Sequence, residues 1–361
     1  MDNSIFQEKN IAKAYFKLSI PLVFSMVVTL IYNLADTFFV AQTGDTIPPT
    51  TDYYTYLAIG APVIMVSFVH SNLLRSEGKS TESMIGTVGG AIINIILDPI
   101  FISVLGMGTE GAAIASVIGY ICTDIYYALV VIKKSEILSL QISEFRVPVS
   151  FVRRILTVGT PAAIVNIMQS VCIVLVNQFL LPYGNDKIAA MGIAIKINLI
   201  ALLILTGFAF GGAPLFGYYY GARNREQLTK LLKFCLRFIL GTAVLLTVLL
   251  FASSSLLMNI FTTNRGIAAD GAQMLRLQVI MTPCVGLILL LTIVFQSFGK
   301  STGSFLLSIS RQGVIFVAVL MIASRLIGYK GILVSQAVSD LLSAILAVVL
   351  FKVLLQKEFD L

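Results

Sequence analysis

The sequence has few charged residues for its length. Lys, Arg, Asp and Glu make up 12% of its 361 residues, whereas a water-soluble domain has about 25%. Apolar residues account for 57% of the chain, and the mean hydropathy is +0.93. So few charges cannot cover the surface of a soluble globule, and so much apolar material excludes a disordered chain. The composition is that of a polytopic membrane protein.

Residues that build metal, redox and enzymatic centres are also scarce. His70 is the only histidine, so no histidine-based metal site can form within the chain. The Gly-Lys-Ser sequence at 78–80 lacks the upstream glycine of a phosphate-binding loop, and no catalytic signature occurs. The cysteines lie in apolar runs without C-x-x-C spacing and are interpreted as packing residues. They are Cys122, Cys172, Cys235 and Cys284. The sequence therefore predicts neither an enzyme nor a bound cofactor.

Ten apolar stretches are long enough to cross a bilayer as helices, which takes about 20 residues each. They are 16–41, 53–74, 82–105, 110–132, 155–181, 187–217, 231–257, 272–297, 303–324 and 331–352. Most of the connecting segments are short and polar or rich in glycine. The exception, 133–154, is amphipathic and basic, which is typical of an interfacial linker.

The positions of the basic residues predict the orientation. With a cytoplasmic N-terminus, 19 of the 25 Lys and Arg residues fall on the inner side, Arg311 being counted there, and five fall on the outer side. Lys196 lies within a span. This bias predicts a multi-pass protein of the cell membrane, an inner membrane where there are two, with both termini in the cytoplasm. The net charge of +7 is thus explained by the bilayer, and we expect no nucleic-acid partner.

An internal repeat is visible, with a piece missing from its first copy. Pro21 and Pro161, early in two similar spans, are 140 residues apart. Pro62 and Pro283 are 221 residues apart, as are the Gly-Lys-Ser sequences at 78–80 and 299–301. The offset changes between about residues 44 and 53, where the second half has two additional spans. The simplest interpretation is a six-plus-six duplication whose first half has lost its second and third helices.

The expected fold is an all-α integral membrane protein with two pseudo-symmetric helical lobes. Residues 1–132 form an N-terminal lobe of four helices. Residues 133–154 form the cytoplasmic amphipathic linker, and residues 155–361 form a C-terminal lobe of six helices.

Several segments resemble a known family. IPLVFSMVVTLIYNLADTFFVAQTGD (20–45), GGAIINIILDPIFI (89–102) and GTEGAAIASVIGY (108–120) resemble the N-terminal half of MATE exporters, for multidrug and toxic compound extrusion. GGAPLFGYYYGARN (211–224) and FQSFGKSTGSFLLSISRQ (295–312) resemble that family's bacterial branch. The resemblance implies twelve spans, of which this chain lacks the second and third.

Polar residues near the outer ends of three spans are candidates for ion coupling. At 1.5 Å per helical residue they share a depth about 9–10 Å below the outer boundary, where they could share a proton or coordinate Na⁺. They are Asp36, Asn94, Asp98 and Ser116. The family resemblance implies the same cation or proton site, and Asp36, Asn94 and Asp98 are the expected Na⁺ ligands. The alternative is that Asp36 and Asp98 only hydrogen-bond neighbouring helices.

The repeat does not reproduce these acids in the second half. The positions that correspond to Asp36 and Asp98 are Val176 and Val319. We therefore expect ion coupling in the first half alone.

Other polar residues inside spans are candidates for a substrate cavity, although such residues also tie helices together. They are Asp124, Gln169, Lys196, Gln296 and Asp340. Lys196 is the one basic residue assigned to the depth of a span, where it could pair with a carboxylate. Pro21 is the expected hinge of the first helix, since proline removes a backbone hydrogen bond.

The leading hypothesis is a secondary active antiporter that exports organic, often cationic, drugs in exchange for H⁺ or Na⁺. One alternative is a flippase for lipid-linked precursors, which would need more basic residues in its cavity. Another is a transport-inactive membrane protein created by the loss of two helices. That loss exposes helix faces, which a homodimer would cover.

Overall fold

The computed structural model describes residue 8 and residues 10–41, 50–135, 137–139 and 148–359. Within these ranges, side chains are described except at 34–41, 50–54, 154, 158, 161 and 162. The described chain is helical throughout its regular structure and contains no strand. Its contacts divide it into two compact units, Met1–Arg146 and Val147–Leu361.

The first unit contains four long helices. They are α1 (Ile11–Ala41), α2 (Thr50–Ser76), α3 (Ser80–Pro99) and α4 (Gly108–Lys134). A π-helical turn, Ile100–Val104, follows α3 directly after Pro99, which has no backbone N–H to continue the α-helical pattern. The α3 helix packs against both α1 and α4, and α2 packs against α4, so α3 and α4 form the centre of this unit.

The second unit contains nine helices, several of which are segments of a broken span. They are α5 (Val149–Leu180), α6 (Asn185–Gly211), α7 (Ala213–Gly221), α8 (Arg225–Phe261), α9 (Arg265–Val279), α10 (Thr282–Ser297), α11 (Ser301–Ile309), α12 (Ile315–Ile327) and α13 (Tyr329–Leu354). Its buried core includes Leu180, Ile197, Leu275 and Phe316 from four of these helices.

The described helices supply the predicted spans. Nine segments are long and apolar enough to cross a membrane, and the pair α9 and α10, bent by 46°, makes a tenth when counted as one span. The prediction of an all-helical membrane protein with ten spans is therefore confirmed. The bend precedes Pro283, in the first turn of α10, where proline is tolerated because that N–H has no helical acceptor. The proposed site of the lost helices, 44–54, lies outside the described side chains.

Both units contain the same turn at their Gly-Lys-Ser sequence. Gly78 has a φ of 82° and Gly299 a φ of 68°, a left-handed conformation that glycine adopts without strain. The N–H of Lys79 donates to the carbonyl of Leu74, and the N–H of Lys300 donates to that of Phe295, both at 2.9 Å. The offset of 221 residues read from the sequence thus relates equivalent backbone positions.

Each turn also forms hydrogen bonds with the end of the last helix of its unit or with the segment that follows it. Lys300 binds the Leu354 carbonyl at 2.7 Å and Glu358 at 3.2 Å. In the first unit, burial on its own would raise the pKa of the Glu77 carboxyl group. Hydrogen bonds from Ser135 and Lys79 outweigh that effect and hold the pKa below its usual value. A charged Glu77 therefore links the α2–α3 turn to the end of α4.

The α3 and α4 backbones approach closely at Gly90 and Gly119. A Cβ on Gly90 would lie 2.8 Å from the Gly119 carbonyl oxygen and would also meet the Thr123 hydroxyl, whereas a Cβ on Gly89 would meet nothing within 4 Å. Small residues at such crossings let membrane helices pack backbone to backbone.

Gly90→Ala is expected to lower the free energy of unfolding by about 1–3 kcal/mol, because the added methyl group forces α3 and α4 apart. The measurement is the thermal unfolding midpoint of the purified protein in detergent. Gly89→Ala is the matched control, since it makes the same change in helix propensity one residue away. Equal midpoints for the two variants would contradict the close packing of α3 and α4.

Candidate functional site

Three of the four predicted coupling residues meet between α3 and α4. Asn94 and Asp98 lie one turn apart on α3, and Ser116 faces them from α4. The Asn94 Nδ2 donates to Asp98 Oδ1 at 3.2 Å and to Ser116 Oγ at 3.1 Å. Asp98 is 0% exposed and Asn94 is 2% exposed, so this polar cluster is enclosed by the helices of the first unit.

The fourth predicted residue, Asp36, belongs to α1, but its side chain lies outside the described residues. The rest of α1 packs against α3. The hydroxyl groups of Tyr32 on α1 and Tyr120 on α4 share a hydrogen bond of 3.1 Å. The structure therefore places α1 beside the α3–α4 cluster without describing the Asp36 carboxylate.

A cavity of about 130 Å³ adjoins the cluster. Asn94 and Ser116 line one part of it, and Thr87, Tyr127 and Arg75 line another part, nearer the α2–α3 turn. Thr87 lies seven residues before Asn94 on α3, so the cavity extends about 10 Å along that helix. The cavity therefore extends from the buried cluster toward the end of the unit predicted to face the cytoplasm.

The orientation of the Asn94 amide follows from its neighbours. Its nitrogen faces both Asp98 and Ser116, because the opposite orientation would place the amide oxygen against an oxygen of a charged Asp98. Its Oδ1 is buried and has no hydrogen-bond partner among the described residues. The oxygens of Asn94, Asp98 and Ser116 are hard donors that suit Na⁺, but Asn94 would have to turn its amide to offer one to an ion between the other two.

Asp124, predicted to line a substrate cavity, is paired within the first unit. Its Oδ1 lies 3.5 Å from the Nδ1 of His70 on α2, and the His70 ring contacts the edge of Tyr127. Asp124 is not among the residues that line the cavity beside the Asn94–Asp98–Ser116 cluster. The predicted hinge residue Pro21 lies inside an α1 that continues through it, and the Ser25 hydroxyl donates to the Pro21 carbonyl at 3.0 Å.

The remaining cavity candidates belong to the second unit, where the structure separates them. Gln169 and Asp340 line one cavity of about 150 Å³. Lys196 is exposed, lies outside that cavity and forms no ion pair with a described carboxylate. Gln296 is exposed near the end of α10 and donates to Ser304 at 3.0 Å, so it too lies outside the cavity.

The assignment of Arg311 to the inner side was wrong. Arg311 lies in a π-helical turn, Ser310–Val314, between α11 and α12, ten residues from the start of its span. Its Nε donates to Asp340 Oδ1 at 2.8 Å. Lys196 is therefore not the one basic residue deep in a span. The signal was present, since Arg311 and Asp340 lie at similar depths in the last two predicted spans.

Comparisons with known proteins agree with this architecture. A sequence model of the MatE family matches residues 161–322. The multidrug export protein MepA of Staphylococcus haemolyticus is 28% identical over 94% of this chain and 76% of its own length. The MepA of Staphylococcus saprophyticus is 27% identical over 85% of this chain and 68% of its own length.

A solved structure has the same fold. It shows the outward-facing conformation of a multidrug resistance MATE family transporter of the MOP superfamily, which superimposes with a TM-score of 0.89 over 98% of each chain at 20% identity. The repeat, the ten spans, the matched segment and the bacterial relatives lead to one conclusion. Over most of its length, the chain is similar to transporters of the MATE family.

Proposed function

We propose that this chain is a secondary active antiporter that exports organic, often cationic, drugs in exchange for H⁺ or Na⁺. It is a membrane transporter and not an enzyme. Curated relatives over most of its length are multidrug export proteins. We place it in the cell membrane with both termini in the cytoplasm, as the distribution of Lys and Arg indicates.

The observation that carries the proposal is the buried Asn94–Asp98–Ser116 cluster. A carboxylate within a membrane span is costly and is by default a functional group. Binding of an ion by Asp98 neutralises it, which removes the cost of keeping a charge away from water. Because this cost differs between conformations with different access to water, ion binding shifts the equilibrium between them. The same shift would drive release of the drug.

The Asn94 amide favours H⁺ over Na⁺ as the coupling ion. The Asn94 amide can keep donating to both Asp98 and Ser116 when Asp98 carries a proton. Sodium placed between Asp98 and Ser116 would face the Asn94 nitrogen, so the amide would have to turn to offer its oxygen as a ligand.

Arg311 adds one basic residue to the interior of a span, but this is not the basic cavity that a flippase for lipid-linked precursors would need. Arg311 lines the cavity of the second unit, but its charge is balanced by Asp340. The exporter therefore remains the better proposal. There are two other outcomes: a transport-inactive chain, and a homodimer that covers the helix faces left by the lost helices. The efflux measurement tests the first of them.

Asp98→Asn is expected to reduce gradient-driven ethidium efflux about tenfold or more, because the amide cannot exchange a proton at the coupling step. Asp36→Asn is expected to do the same. Efflux is measured in vesicles that contain equal amounts of inserted protein. Asp186→Asn, at an exposed position in the first turn of α6, is the control that should leave efflux unchanged. Undiminished efflux from Asp98→Asn would refute the site. Absence of efflux from the inserted wild-type chain would identify it as a transport-inactive member.

An imposed pH gradient is expected to drive efflux in sodium-free buffer, and an imposed Na⁺ gradient alone is expected not to. Ser116→Ala should retain most of the proton-driven efflux, since it removes a potential Na⁺ ligand without removing the carboxylate. Efflux that requires Na⁺ and disappears in Ser116→Ala would assign Na⁺ as the coupling ion.

A further inference from the structure

The cavity of the second unit has an ion pair in its wall. It is enclosed by α5, α6, α9, α10, α12, α13 and the π-helical turn that precedes α12. Arg311 lies ten residues into its span and Asp340 eleven residues into α13, so both are about 15 Å along their helices. That depth is near the middle of a bilayer, where transporters place their substrate sites.

The backbone around Arg311 is built to present this side chain. The π-helical turn leaves carbonyl groups outside the regular helical pattern, and side chains from two neighbouring helices bind them. The Ser339 hydroxyl donates to the Arg311 carbonyl at 3.1 Å, and the Cys172 thiol to the Gln312 carbonyl at 3.0 Å. Single π-helical turns inside helices occur frequently at functional sites.

The ion pair leaves more donors than acceptors facing the cavity. One oxygen of Asp340 accepts from both Arg311 Nε, at 2.8 Å, and Gln336 Nε2, at 3.1 Å. Arg311 uses only that one of its five N–H groups toward described residues, and its side chain is 13% exposed against 3% for Asp340. A cation would have to displace Arg311 from Asp340, whereas an anion finds the two terminal guanidinium nitrogens available.

Three other polar side chains of the cavity have no hydrogen-bond partner among the described residues. The side-chain amides of Gln169, Asn198 and Gln312 line it, and none of them makes a hydrogen bond to a described residue. The remaining wall is apolar, with Ile173, Leu202 and Phe316 among its residues. A cavity of about 150 Å³ accommodates a benzene-sized group.

We infer that this cavity binds an aromatic carboxylate, with the ring against the apolar wall and the carboxylate on the terminal nitrogens of Arg311. Arginine binds carboxylates in this bidentate way, with charge-assisted hydrogen bonds. The inference extends the proposed export function, on which it rests for its biological meaning, and it adds organic acids and zwitterions with such a group to the substrates.

The test compares benzoate, benzamide and benzylammonium, which share one ring and differ in charge. Their affinities for the purified wild-type protein are measured by titration calorimetry. Benzoate is expected to bind about tenfold more tightly than benzamide, and benzylammonium most weakly, because the free donors belong to a cation. Preference for benzylammonium, equal affinities for the three compounds, or no binding by any of them would overturn the inference.

The double variant Arg311→Gln/Asp340→Asn removes both charges together, so neither is left buried and unpaired. It should bind benzoate and benzamide equally, with benzamide affinity unchanged as the check on folding. A benzoate preference retained by this variant would also overturn the inference. Asp186→Asn, at an exposed position in the first turn of α6, should bind benzoate as the wild type does. Because binding needs no ion gradient, failure of efflux and failure of this site are separate results.

Discussion

Polar groups inside the membrane-spanning helices need partners within the protein, because lipid supplies none. The two compact units meet this requirement in different ways. Asn94 connects Asp98 to Ser116 in the first unit, and Arg311 pairs with Asp340 in the second. These contacts link helices that are adjacent in the chain, so the requirement for partners also determines which helix faces meet.

Close backbone packing makes the first of these arrangements possible. Ser116 reaches Asn94 because α3 and α4 approach at Gly90 and Gly119, the second of which lies one turn beyond Ser116. Larger residues at the crossing would move Ser116 away from the amide. The glycines therefore hold the polar cluster together by allowing α3 and α4 to pack closely.

The sequence predicted the spans and the Asn94–Asp98–Ser116 group because both depend on short-range regularities. Apolar length predicts a span, and a separation of four residues places two side chains on one helix face. Arg311 was misassigned because a count of basic residues gives each residue a side without asking for its partner. Its partner, Asp340, is 29 residues away on another helix, and the π-helical turn that orients Arg311 has no simple sequence signal. Asp36 remains a prediction, since its side chain is not described.

The two buried carboxylates differ in what holds them, and this difference separates the roles that we propose for them. Asp98 accepts from a neutral amide, whereas Asp340 accepts from a cationic guanidinium. A carboxylate held by an amide can gain and lose a proton while its hydrogen bond persists. A carboxylate held by arginine would leave an uncompensated buried cation if it were neutralised. Under the functions proposed above, the first unit therefore holds a carboxylate suited to a change of charge, and the second unit holds a fixed dipole suited to orienting a ligand.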